Sequence, residues 1–137
     1  MTRIDRHSTA WYEALDAFVD DRGARPFAWG SNDCCTLAAD WVQAARGEDP
    51  MTDLRGLDTM EAAARSLHQE GGILAAVTRR MGDPLPGAFA QVGDVAMVRH
   101  NGDRLSMGVC VGAFVAAPGV AGLLMVPINQ AEAAWRV

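Results

Sequence analysis

The sequence predicts an α+β domain in which helices come first and an antiparallel sheet of about 4–6 short strands follows. Three observations carry that prediction. Apolar residues recur at helical spacing through about residues 8–81, short apolar runs separated by turn residues fill about 92–137, and Asp83-Pro84-Leu85-Pro86-Gly87 stands between them as a rigid connector. With 137 residues, 50% of them hydrophobic, the chain can bury a core of its own and reads as one domain over 1–137.

Taken in order, Ser8 or Thr9 can cap a first helix running to about Asp21, with Trp11, Leu15, Phe18 and Val19 on one stripe and Arg22-Gly23 at its end. Asp33 can cap a second helix that starts at Cys34, buries Leu37, Ala38, Trp41, Val42 and Ala45, and stops at Arg46-Gly47. Asp58 and Glu61 have the spacing of a capping box for a third helix through about Gln69. Gly71-Gly72 breaks it before a short fourth helix, Ile73 to Met81. Strands are expected at Asp94 to Arg99, Leu105 to Val111, Phe114 to Ala117 and Leu123 to Ile128, with Asn101-Gly102 as a hairpin turn. The closing Trp135-Arg136-Val137, with Leu123 to Ile128, reads either as a surface that docks a partner or as a last core strand.

Chemistry concentrates at Asp33-Cys34-Cys35. A cysteine in the first turn of a helix meets unpaired N–H groups and the positive end of the helix dipole, which favour thiolate over thiol. Cys34 is therefore the candidate nucleophile and Asp33 the cap that shapes its turn. Cys35 and Cys110 read as buried small apolar residues, Cys35 under the helix start and Cys110 between Val109 and Val111 in a strand. His7 and His68 read as surface residues. His100, in the Arg99-His100-Asn101-Gly102-Asp103 turn, reads as a solvated loop residue or as a base that folds back toward Cys34. Zinc would want paired ligands a few residues apart, which adjacent cysteines and scattered histidines do not supply, so neither a metal nor a cofactor is expected.

The stretch Phe27-Ala28-Trp29-Gly30, then Asp33-Cys34-Cys35, resembles the core motif of the NlpC-type cysteine peptidases, papain-like enzymes that cut the peptide stems of peptidoglycan. Gly93-Asp94-Val95-Ala96-Met97-Val98 and Gly108-Val109-Cys110-Val111-Gly112 resemble that family's two following strand blocks, in the same order. The resemblance implies a papain-like fold, with the cysteine helix packed on the sheet and Asp58 to Met81 inserted between the halves, able to line or cover the groove. It also places the family's catalytic histidine at Ser106 and its third polar residue at Ala116. A cysteine peptidase needs a base and a group that orients it, and by position this chain keeps only the nucleophile. Cys34 is then either a reactive thiol or a structural residue kept from an active ancestor.

Among NlpC-like proteins the chain most resembles the short tail-assembly and tail-tip members of phages and gene-transfer-agent-like particles. That implies a structural tail component with a lapsed site, partnered by other tail-tip or hub proteins, assembled in the bacterial cytoplasm and carried on the virion tail. The alternative is an active cysteine endopeptidase acting on peptidoglycan stem peptides as the genome enters the cell. Composition bounds both. A formal net charge of −5 argues against nucleic acid and anionic membranes as partners. An odd number of cysteines makes no disulfide framework, and Met1 to His7 holds no apolar signal region, so assembly in a reducing cytoplasm and no export signal are expected. No stretch is long enough to span a bilayer.

Overall fold

Helix α1 (Thr9–Arg22) starts where Ser8 takes the cap position and its hydroxyl accepts the Trp11 N–H at 3.1 Å. The computed structural model describes residues 3–137, so Met1 and Thr2 of the stretch expected to lack a signal region lie outside it. Helix α2 (Cys34–Arg46) opens on a full capping box and closes on Gly47 in the left-handed conformation. Its predicted face is the buried one: Leu37, Ala38, Trp41, Val42 and Ala45 are all 2% exposed or less. Burying each of the larger of these side chains contributes about 1.5–3 kcal/mol. Helix α4 (Ile73–Met81) has its expected bounds. Helix α3 (Met60–Gln69) is capped by Thr59, whose hydroxyl accepts the Ala62 N–H at 3.1 Å, and not by Asp58. Thr59 has the extended backbone of a cap and Asp58 sits one residue too early.

Four α-helices and a six-stranded antiparallel sheet make up the α+β fold among the described residues. The strands are β1 (Leu85–Pro86), β2 (Val95–His100), β3 (Arg104–Cys110), β4 (Phe114–Gly119), β5 (Gly122–Pro127) and β6 (Ala131–Trp135), in the order β1-β6-β2-β3-β4-β5. Two of them depart from the sequence reading. The rigid connector contributes β1, paired with β6 through Leu85↔Ala134 and Pro86↔Ala133. Of the two readings of the C-terminal segment, the core strand holds for its end, where β6 lies between β1 and β2, while Leu124 and Met125 of the edge strand β5 stay 41% and 43% exposed. Trp135 and Val137 are 3% and 2% exposed, and the Trp135 indole donates to the Gly82 carbonyl at 2.8 Å.

The helices cover one sheet face. Val95 and Met97 of β2, Met107 and Val109 of β3 and Ala133 and Trp135 of β6 join the α1 and α2 side chains in the main core. Ala96, Val98, Val115 and Val126 form a smaller cluster on the other face, as the period of two requires. The register between β2 and β3 runs from Val95↔Val109 to His100↔Arg104 and sets Ser106 opposite Val98. β4 pairs with β3 only at Val109↔Ala116 and Cys110↔Val115. The earlier half of β3 therefore has an edge without a β4 partner, and α2 packs on that strand. No helix of the described residues is long and apolar enough to cross a membrane.

Candidate functional site

The loop before Cys34 is held from several sides. Asp33 Oδ1 accepts the Thr36 N–H at 2.9 Å and the Thr36 hydroxyl returns a bond from the Asp33 N–H at 2.9 Å. The other carboxylate oxygen takes the Gly30 N–H at 2.8 Å, so one buried side chain fixes both the helix start and the turn before it. Gly30 sits at φ 82°, against the backbone of Gly56 and Leu57. Asn32 accepts from Arg22 at 2.9 Å and donates to the Pro26 carbonyl at 2.9 Å. Arg22 also bonds Asp40, which is bridged by Arg55 to Asp49. This chain of polar groups, buried at Arg22 and Asn32 and partly exposed at Asp40 and Arg55, ties α1, the cysteine loop, α2 and the segment after it together. Its members come from four separate stretches of sequence, and no local spacing announces them.

Cys34 is partly exposed, while Cys35 is 7% exposed and Cys110 is fully buried in β3. Three neighbours lower the Cys34 thiol: Cys35 most, then the Met107 backbone N–H, and least Ser106. Together they hold the Cys34 thiol below its ordinary value against the burial and the Asp33 charge that push it up. The Cys35 thiol is pushed the other way, well above its ordinary value, first by its interaction with Cys34 and then by burial. Cys35, read from sequence as packing alone, is thus the main partner of Cys34. The Met107 N–H comes from the part of β3 that β4 leaves unpaired.

Of the other residues singled out by sequence, Ser106 donates its hydroxyl to the Met107 carbonyl at 3.4 Å and has the smallest effect on the Cys34 thiol, and Ala116 is 1% exposed opposite Val109 in the sheet. His100 ends β2 opposite Arg104 at the hairpin, half-buried, where Asn101 and Gly102 take left-handed φ values of 50° and 82°. His7 bonds the Tyr12 hydroxyl through Nδ1 at 2.9 Å, and His68 lies exposed in the last turn of α3. No histidine of the described residues is among the groups that set the Cys34 thiol. No cluster of three or more His, Cys, Asp or Glu side chains suited to a metal ion occurs among the described residues.

Cys34 lines a small, half-open cavity of about 30 Å³, with Trp29, Leu54, Leu57, Ala63 and Leu67 together with Asp33 and Cys35. Its walls include Ala63 and Leu67 of α3, so the helical insertion lines the space beside the cysteine. That volume holds one or two water molecules. The walls are mostly apolar.

Fold and site together define an α+β domain whose cysteine-led helix packs on one face of an antiparallel sheet. The chain belongs to the DUF6950 family, described as a domain of unknown function, which matches residues 6–137. No curated protein matches it.

Proposed function

We propose that this chain is a non-hydrolytic structural component of the tail tip or tail-assembly apparatus of a phage or phage-like particle, built on an NlpC-like, papain-like scaffold. The observation that carries the loss of hydrolysis is the company Cys34 keeps. A thiolate that attacks a peptide carbonyl needs a neighbour that afterwards protonates the leaving amine, and Cys35, Ser106 and a backbone N–H do not replace an imidazole in that step. The small size and mostly apolar lining of the cavity beside Cys34 support the same reading, because they offer few groups to hold a peptide backbone. Placement in a tail rests on the sequence resemblance, and the virion tail is the corresponding location. Particles purified from a producing cell should contain the chain in fixed ratio to other tail proteins. Cys34→Ala particles should assemble in normal yield, and the purified chain should release no fragments from peptidoglycan. Absence from particles sinks the tail reading, and Cys34-dependent cleavage of stem peptides sinks the non-hydrolytic one.

The second reading, an active cysteine endopeptidase acting on peptidoglycan stem peptides, draws on the lowered Cys34 thiol and on the N–H groups of the helix start, which are suited to an oxyanion. Alkylation of Cys34 by iodoacetamide, in a Cys110→Ser background, separates the two. Rate follows the thiolate fraction, so half-maximal labelling should fall below the free-cysteine value of about 8.5. Cys35→Ala removes the neighbour that lowers the Cys34 thiol most, and the midpoint should then move upward, slowing labelling at neutral pH. His100→Ala should leave the midpoint where it is. An upward move on His100→Ala instead gives Cys34 an imidazole partner and favours the enzyme.

A further inference from the structure

A second concavity, of about 410 Å³, lies between α1 and the β3 end of the sheet, on the α1 side of the molecule. Leu15, Val19, Val92 and Val111 line it with apolar surface, and Asp16 and Asp20 stand exposed along its helical side. Its volume is that of a site for a small ligand or a few side chains. The sheet side is apolar beyond the groove itself. Val111 bonds Phe114, and Phe114 and Met125 share the sheet face of Val109 by register and are 45% and 43% exposed. From Leu105 to Ala131 the sequence carries no charged residue.

We propose that this groove docks an apolar segment of a partner protein that bears an arginine or lysine side chain, its apolar residues against Val19, Val92 and Val111 and its cation between Asp16 and Asp20. Charge complementarity selects that occupant. Asp16 and Asp20 are one helical turn apart, so their like charges repel. No cation of the described residues pairs with either, the ion pairs from this part of α1 running from Asp21. A cation between them removes the repulsion and adds two attractions. A second copy of this chain fits less well. Each copy carries −5, and most of its arginines are already held, among them Arg6, Arg22, Arg55, Arg80 and Arg136. The inference does not depend on the fate of Cys34 or on the tail reading.

The test uses the whole chain and three short peptides in which leucine alternates with arginine, glutamate or serine. Amide chemical shifts on titration should move at Val19, Val92 and Val111 for the arginine peptide and stay put for the glutamate one, with the serine peptide weaker than arginine. D16N/D20N should weaken the arginine peptide about tenfold, as two exposed ion pairs allow. D58N/D83N removes equal charge from exposed positions elsewhere and should change little. Circular dichroism should show D16N/D20N as stable as the parent, since the substitution removes a repulsion. The proposal is overturned if no peptide binds at millimolar concentration, if D58N/D83N weakens binding as much as D16N/D20N, or if the glutamate peptide binds equally. Groove resonances that shift with protein concentration alone, with sedimentation as a dimer, also overturn it by giving the groove to a second copy.

Discussion

Asp94→Ala should lower the unfolding free energy by about 3 kcal/mol, read as a fall in denaturant midpoint at unchanged slope. Asp94 is 0% exposed and immediately precedes β2. One carboxylate oxygen accepts from Arg6 at 2.9 Å; the other accepts the Gln91 N–H at 2.8 Å and is bonded by Arg136. Each arginine then reaches further. Arg6 donates to the terminal Val137 carbonyl at 2.7 Å and Arg136 to the Phe89 carbonyl at 2.9 Å. One buried carboxylate thus fastens the segment before α1, the turn before β2 and the end of the chain. Removing one partner of a buried ion pair costs about 3–5 kcal/mol when the survivors stay buried. Here Arg6 and Arg136 keep 21% and 37% of their side-chain surface in solvent, so they rehydrate in part and the lower end of that range applies. Arg6→Ala should cost clearly less, and in the Asp94→Ala background almost nothing, because the shared partner is already gone. A loss below about 0.5 kcal/mol in Asp94→Ala, the size of an ordinary surface substitution, would show that the network contributes no net stability.

The helices were legible in the sequence because their signals are local. Ser8, Asp33 and Gly47 act within one turn of where they stand, and the α2 stripe needs only a period of 3.6 to be read. β6 was not legible for the opposite reason. Ala131-Glu132-Ala133-Ala134-Trp135 has no β-branched residue and weak strand propensity, yet it lies between β1 and β2 in the sheet. Its small side chains suit tight packing. A Cβ on Gly87 would come within 1.9 Å of the Ala131 carbonyl oxygen, a contact made by residues far apart in sequence. The candidate site divides the same way. The position of Cys34 and its Asp33 cap follow from a few consecutive residues. The lining supplied by Leu54, Leu57 and Leu67 depends on how the segment after α2 folds back beside the helix start.

Gly93→Ala should cost about 2–5 kcal/mol, the sum of a left-handed backbone penalty of ~1–2 and an overpacking penalty of ~1–3. Gly93 sits at φ 84°, and a Cβ there would lie 1.9 Å from Cη2 and 2.2 Å from Cζ2 of Trp11. Trp11 has nowhere to retreat. It is 0% exposed and packs edge-on against Trp41, also 0% exposed, with ring centroids 5.7 Å apart. Trp41 in turn donates its indole N–H to the Gly93 carbonyl at 2.8 Å, and the Gly93 N–H donates to the Cys110 carbonyl at 2.7 Å. One glycine therefore seats α1 through Trp11, seats α2 through Trp41 and joins the turn before β2 to the end of β3. Gly102→Ala provides the comparison, since Gly102 has nearly the same φ, 82°, with nothing within 4 Å of its added Cβ. It should lose the backbone penalty alone, about 1–2 kcal/mol. The excess loss in Gly93→Ala, measured by urea unfolding, is then the cost of displacing Trp11, and near-ultraviolet circular dichroism should show the paired indoles disturbed. Trp11→Phe shortens the ring edge that the new methyl strikes, so adding it to Gly93→Ala should cost less than adding it to the parent. Equal losses for the two glycine variants would mean that the indole pair moves aside freely, and that α1 and α2 are not locked to the sheet through this contact.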